Sequence, residues 1–162
     1  ASKNDIEFLD QGLQSFSKVL DAHFNTNVQD ISGAGAAGGM GAGCVTFLNG
    51  TLSPGIELVK QIADFDNKIK NADWIITGEG KLDSQTLSGK AIDGILKSAK
   101  PQGIKVATFC GSVDLSQEAL QKIGIQYSAS IMDKAKNFED ALANTETYLN
   151  QITKDFILKS KL

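Results

Sequence analysis

Between Ser32 and Gly43 the chain reads Ser-Gly-Ala-Gly-Ala-Ala-Gly-Gly-Met-Gly-Ala-Gly, and six of these twelve residues are glycine. Glycine has no Cβ to pack and loses much backbone freedom on folding, so such a run makes sense where main chain must pass close to a ligand or to another element. Three readings are open. Gly33-Ala34-Gly35-Ala36-Ala37-Gly38 satisfies G-x-G-x-x-G, which serves a dinucleotide only behind a buried strand and ahead of an acidic residue about 20 positions on. The preceding Asn27-Val28-Gln29-Asp30-Ile31-Ser32 is too polar for that strand. The second reading is a glycine-rich helix packed closely on a neighbour. The third is a loop and helix N-terminus whose unpaired N–H groups, at Gly33, Gly35, Ala36, Gly38 and Gly39, face a phosphate or carboxylate. Cys44-Val45-Thr46-Phe47-Leu48 follows and is apolar enough to expect burial.

The apolar spacing on either side fixes the fold class. Ile6, Leu9, Leu13, Phe16, Leu20 and Phe24 fall three or four residues apart and predict a helix from about Asp5 to Ala22. Ser53-Pro54 reads as N-cap and first turn of a helix with Ile56, Val59, Ile62 and Ala63 inside. Asp64 to Asn71 reads as a short helix or turn. From there the period changes. Asp73-Trp74-Ile75-Ile76-Thr77 and Lys105-Val106-Ala107-Thr108-Phe109-Cys110 are apolar strands, each ending in glycine, and Ala91, Ile92, Ile95, Leu96 and Ala99 mark a helix between them that Pro101 and Gly103 stop. A helix on Ala119, Leu120 and Ile123 leads to a third strand at about Ile125 to Ile131. One long closing helix is expected on Phe138, Leu142, Thr145, Leu149, Ile152 and Phe156. The expected fold is α/β: a small parallel sheet with crossover helices, βαβαβα, preceded by a helical, glycine-rich segment. Parallel sheets bury both faces, so three strands are few and point to an incomplete part of a larger fold.

Composition excludes several function classes. The 16 basic residues are all lysine against 19 acidic ones, so a net charge of −3 gives no footprint for a nucleic-acid backbone. No apolar run approaches the ~20 residues of a membrane helix, and the first residues do not open a signal peptide. Neither nucleic acid nor membrane is expected as a partner, and the expected compartment is the cytoplasm. His23 is the only histidine, near a helix end, which excludes a Ser-His-Asp site and a multi-histidine zinc site. Cys44 and Cys110 form no Cys-x-x-Cys pair and read as small buried side chains.

Chemistry concentrates after the first strand, in Thr77-Gly78-Glu79-Gly80-Lys81-Leu82-Asp83-Ser84-Gln85-Thr86-Leu87-Ser88-Gly89-Lys90. Open parallel sheets bind ligands at that end. Glu79 and Asp83 offer hard oxygens to magnesium or accept a proton from a substrate hydroxyl, and Lys90 can neutralise a transferring phosphoryl group. Thr77, Gly78, Gln85 and Thr86 are candidates to bind or orient the ligand. A lysine in the first turn of a helix opposes the macrodipole unless an anion satisfies both, which argues for a bound phosphate or carboxylate. Gly80-Lys81 and Gly89-Lys90 lack the Walker A context, and with no arginine any phosphate clamp here uses lysine and backbone N–H groups. The plainer alternative is a solvated loop capped by Ser88. Cys110-Gly111-Ser112-Val113-Asp114 is a similar turn that could border the same crevice, with Ser112 or Asp114 expected to cap the next helix.

Taken in order, the glycine run Gly33 to Gly39, Pro54-Gly55-Ile56-Glu57-Leu58, and the stretch from Thr77 to Lys90 resemble the C-terminal part of the type I bacterial glycerate kinases. The resemblance runs from about Asp5 to the last helix. It implies ATP-dependent, magnesium-assisted phosphorylation of D-glycerate, with 2-phosphoglycerate as the suggested product, on two α/β lobes across a cleft. It further implies that residues 1–52 belong to an inserted flavodoxin-like lobe and residues 53–162 to the lobe holding the N-terminus. Family members also carry Asp-Ser-Phe-Lys-Gly and Asp-Gly-Gly-Glu-Gly-Thr motifs that are absent here, so a fragment with little activity of its own is expected. Apolar surface left uncovered in such a fragment could drive a homodimer. The alternative function is a noncatalytic anion-binding or assembly module.

Overall fold

The computed structural model describes residues 2–84 and 91–160. Two compact units divide the chain, Ala1–Ser53 and Pro54–Leu162.

In the first unit, helix α1 (Lys3–Phe24) opens on a reciprocal cap: Asp5 N–H donates to Ser2 Oγ at 3.2 Å, and Ser2 N–H to Asp5 Oδ2 at 2.8 Å. It stops at Asn25, which is left-handed (φ 51°). His23 sits in the last turn, its Nδ1 3.0 Å from the Val19 carbonyl oxygen. Of the apolar stripe only Leu20 is fully buried, against Val28, Ala34 and Ala42, while Ile6, Leu9, Phe16 and Phe24 stay exposed. Helix α2 (Ala36–Leu48) takes up the second part of the glycine run and is kinked at Ala37, Gly38 and Gly39, whose backbone is not helical. Gly41 is required there: a Cβ would lie 2.6 Å from the Gly33 carbonyl oxygen and 3.0 Å from Ala34 Cα. The burial expected for residues 44–48 fails at its end, since Phe47 is 55% and Leu48 74% exposed. A core of four small or medium side chains cannot cover a second helix face.

In the second unit, α3 (Gly55–Ile62) starts one residue later than expected. Pro54 has ψ 126°, outside the helical range, so Pro54 and not Ser53 is the capping residue. Val59 and Ile62, expected inside, are 62% and 78% exposed. The inward side is Ile56, which packs on Gly94, and the Lys60 stem, whose side chain is only 10% exposed. The short α4 (Phe65–Lys68) follows. Strands β1 (Trp74–Thr77), β3 (Lys105–Cys110) and β5 (Tyr127–Ser130) form a parallel sheet in the order β1-β3-β5. Helices α5 (Ala91–Ala99) and α6 (Gln117–Ile123) make the crossovers. As expected, α5 ends through a 3₁₀ turn containing Pro101 and a left-handed Gly103. A second parallel pair was not expected: β2 (Lys81–Leu82) lies against β4 (Ser112–Val113) beyond the carboxyl ends of β1 and β3.

Alternation along the central strand divides the core. Val106 packs with Ile75, Ala99 and Ile104, and Cys110 with Leu82, Ile92, Leu120 and Ile125, on the side of α5 and α6. Phe109 points the other way, to α8 (Thr145–Ser160). Buried Phe156 of that helix lies edge-on to Trp74 (5.0 Å between centroids) and Phe109 (5.5 Å) and tilted against Tyr127 (5.0 Å). The single closing helix is in fact two, α7 (Phe138–Ala143) and α8, broken at Asn144 (φ −121°, ψ 26°). The expected stripe divides with it: Ile152 and Phe156 are buried, whereas Phe138 and Leu142 are exposed. Asp140 organises the break, accepting from Lys136 N–H (2.9 Å), Asn144 Nδ2 (2.8 Å) and Tyr148 Oη (2.7 Å).

Phe156→Ala is expected to cost about 3–5 kcal/mol, because it empties the contact of three rings; urea unfolding checks this. The Lys136 N–H bond, then the Tyr148 and Asn144 bonds, hold the Asp140 carboxyl below its ordinary 3.8. Its stabilising effect is therefore present above that value and lost as pH falls through the lower folded value. Asp140→Asn should melt below the parent at pH 7, and the difference should close below pH about 4.

Candidate functional site

The candidate site is built where β1 and β3 run out at their carboxyl ends. Thr77 is half-buried at the end of β1, in register with Thr108. The two segments then stay together past the sheet: Gly111 N–H donates to the Glu79 carbonyl (3.1 Å), Ser112 N–H to Gly80 (3.0 Å) and Asp114 N–H to Leu82 (2.8 Å). This approach depends on two glycines. A Cβ on Gly78 would lie 2.1 Å from the Phe109 carbonyl oxygen, and one on Gly111 would lie 2.4 Å from that of Gly80. Leu82 is the anchor, fully buried among Ile92, Cys110, Leu120 and Ile125. The end of β5 and the turn after it join the same edge, since the Gly111 carbonyl accepts from Met132 N–H (3.0 Å) and Ser130 Oγ (3.1 Å).

With Leu82 turned inward, the pleat turns Lys81 outward, where its Nζ lies 2.7 Å from Asp114 Oδ2. The Asp114 hydrogen bond and charge raise the Lys81 ammonium above its ordinary value, and the charge on Asp83 adds a smaller push. Glu79 and Asp83 are both half-buried on this loop. Among the described residues no group of three or more His, Cys, Asp or Glu side chains is placed to hold a metal. The two carboxylates on one loop are hard oxygen donors, of the kind that would suit a magnesium ion. Burial raises the Cys110 thiol above its ordinary value, as fits a packed side chain and not a nucleophile.

Of the residues singled out by sequence, Thr77, Gly78, Glu79 and Asp83 share this edge, while Gln85, Thr86 and Lys90, with the capping role of Ser88, lie outside the described residues. The turn after β3 borders the same loop, but neither Ser112 nor Asp114 caps α6. Ser116 does, accepting from Ala119 N–H at 3.2 Å, because Ser112 and Asp114 are engaged in the pairing with residues 80–82. The contributions of Gly111, Ser130 and the Lys81–Asp114 pair were not foreseen. Their signal in the sequence is the repetition of a strand ending in glycine, at Gly78 and again at Gly111.

The glycine run belongs to the other unit. Gly33, Ala37, Gly38 and Gly39 are all left-handed, with φ of 86°, 51°, 70° and 87°. For Ala37 that conformation costs about 1–2 kcal/mol. Several N–H groups are consumed locally: Ala34 donates to Ile31, Ala36 to Gly33, Gly39 to Gly35 and Ala42 to Ala34. Those of Gly35, Ala37 and Gly38 have no backbone acceptor among the described residues. A cleft of about 290 Å³ between the run and α1 is walled by Leu13, Ser17, Leu20, Gln29 and Gly39, and Gln29 spends its amide on Ser17 Oγ (3.0 Å). Among the described residues it is lined by no lysine.

The description "Glycerate kinase family" belongs to a family model that matches residues 1–160. The chain is 36% identical over 160 residues to a glycerate kinase of Halalkalibacterium halodurans, covering 99% of this chain and 42% of that one. It is 33% identical over 141 residues to a glycerate 2-kinase of Escherichia coli, covering 87% and 37%. A solved structure described as a glycerate kinase 2 of Salmonella typhimurium LT2 superposes with a TM-score of 0.70 at 31% identity, covering 99% of this chain and 41% of that one. The chain therefore spans about two fifths of the length of these relatives.

Gly111→Ala is expected to destabilise by about 1–3 kcal/mol, since backbone must move to admit the methyl group. At Gly80 a Cβ meets nothing within 4 Å, so Gly80→Ala should change stability by less than about 1 kcal/mol. Denaturant unfolding of the two variants side by side checks the contrast.

Proposed function

Because this chain belongs to the glycerate kinase family, we propose that it supplies the C-terminal part of an enzyme that transfers the γ-phosphoryl group of ATP to D-glycerate, giving 2-phosphoglycerate in the cytoplasm. The observation that carries this reading is the Glu79 to Asp83 loop, held at the carboxyl end of a parallel sheet by the close approach of Gly78 and Gly111 to neighbouring backbone. Phosphoryl transfer asks little covalent chemistry of a protein and much positioning and charge compensation. A loop anchored by buried Leu82 and three backbone hydrogen bonds suits that demand.

Glu79 and Asp83 would hold the magnesium ion, which would supply positive charge to offset that of the phosphate oxygens. One of these carboxylates also accepts the proton of the attacking glycerate hydroxyl. Lys90 neutralises the transferring phosphoryl or the glycerate carboxylate, while Thr77, Gln85 and Thr86 orient the ligand. The N–H groups of Gly35, Ala37 and Gly38 face an anion from the glycine-rich unit. We assign residues 1–52 to an inserted flavodoxin-like lobe and residues 53–162 to the lobe completed by the rest of the polypeptide. The charge-stabilising groups outside this segment are then missing from it, and the segment alone turns over negligibly. Its exposed Phe8, Leu9 and Phe16 favour self-association in isolation.

In the complete polypeptide, Lys90→Ala and Glu79→Gln are each expected to lower kcat by about 10²-fold or more with folding intact. A coupled assay of ADP formation reads this. Unchanged kcat in both variants would instead favour a noncatalytic anion-binding module.

A further inference from the structure

Among the described residues β1 and β5 each have one neighbouring strand, β3, and three observations single out the free side of β1. The first concerns the backbone. Lys105 N–H donates to the Asp73 carbonyl (3.2 Å), and the register runs from Trp74 opposite Lys105 to Thr77 opposite Thr108. Alternate residues of a parallel ladder bond a given partner, so Asp73, Ile75 and Thr77 turn their polar groups to β3, and Trp74 and Ile76 turn theirs away from it. The second concerns side chains. Ile75 packs with Val106 and Ala99, so the pleat sends Trp74 and Ile76 to the face of α8. Trp74 meets Phe156 there, whereas Ile76 is 53% exposed, the one exposed apolar residue in these three strands.

The third is the path of the chain. Ile56 of α3 packs on Gly94 of α5, Phe65 of α4 packs against the cluster of Ile75, Ala99 and Val106, and Gln102 Nε2 donates to the Asp66 carbonyl (3.2 Å). Helices α3 and α4 thus lie on the same face of the sheet as α5 and α6. With those helices on one face, right-handed crossovers carry the chain in a single direction, from β1 to β3 to β5. By the same rule, a parallel strand that feeds the chain into α3 lies on the side of β1 away from β3. No strand precedes Trp74 among the described residues, so this one comes from outside the segment. The relatives have the length to supply it, since the segment spans about two fifths of them.

We propose that the free side of β1 receives a parallel strand of the same polypeptide, one that precedes this segment, pairs with Trp74 and Ile76, and lays aliphatic side chains beside Ile76. A second copy of β1 brought up about a twofold axis would run antiparallel and does not meet the crossover rule. The inference rests on the proposed reading of this chain as the C-terminal part of a longer polypeptide.

Hydrogen exchange followed by NMR in the complete polypeptide tests the pairing. The Trp74 and Ile76 amides should exchange within about 100-fold of Ala107 in the central strand, and about 100-fold dilution of the protein should leave this unchanged. Faster exchange overturns the proposal, as does protection lost on dilution, which would mark a second copy. Free exchange at Trp74 and Ile76 with protection at Tyr127 and Ala129 would place the added strand at β5 and overturns it too. Ile76→Lys should melt about 4 °C or more below the parent, because a covered position cannot solvate the ammonium; a smaller loss overturns the proposal. If that variant does not accumulate, Ile76→Thr, which keeps the β-branch, should melt about 2 °C or more below the parent, and a smaller loss again overturns it. The mass of the protein from its natural host separates the layers. A product of 17.2 kDa removes the longer polypeptide and this inference with it, whereas a longer product with freely exchanging Trp74 and Ile76 removes only the strand beside β1.

Discussion

The close passage of two main-chain segments beyond the end of the sheet governs the arrangement of the candidate site. Gly78 and Gly111 each stand where a methyl group would press into a neighbouring carbonyl oxygen. Without side chains there, the segments after β1 and β3 come near enough for three successive N–H to carbonyl bonds. Those bonds continue the parallel pairing after the sheet has ended, and they drop Leu82 into the core below. Carboxylates otherwise tethered to an irregular loop thus inherit the rigidity of the strands, which is what charge-stabilising catalysis requires of its groups.

The two units solve their packing differently. The larger one covers its central strand on both faces, with aliphatic side chains under α5 and α6 and a cluster of rings under α8. The smaller one relies on close backbone contact at Gly41 and on four buried side chains. Much of α1 therefore keeps apolar side chains in solvent, as does the end of α2. The hydrophobic effect places both surfaces at an advantage when covered.

Period-based reading recovered the elements well and their partners less well. Three parallel strands, both crossover helices and the stop at Pro101 and Gly103 follow from local pattern, because a buried strand and an amphipathic helix write their periods directly into the chain. The stripe on α3 misled, since Val59 and Ile62 satisfy the helical period while Lys60 takes the inward place by lying along its stem. The closing helix read as one because its apolar spacing runs through Asn144, whose break is made by polar bonds to Asp140 that carry no hydrophobic signal. The place of Glu79 and Asp83 in a glycine-bounded turn after a strand was legible in the sequence. The ion pair of Lys81 with Asp114 was not, because it depends on a pairing between segments some 30 residues apart that nothing local specifies.

The paired segments have a consequence for how such chains diverge. An inserted or deleted residue between Thr77 and Leu82 would slip one rail of the ladder against the other, lift Leu82 from its socket and break every bond beyond the slip. The same holds between Cys110 and Asp114. Length changes are tolerable only past these stretches, so the two segments are bound to keep a common length, and a change in one is viable only with a matching change in the other.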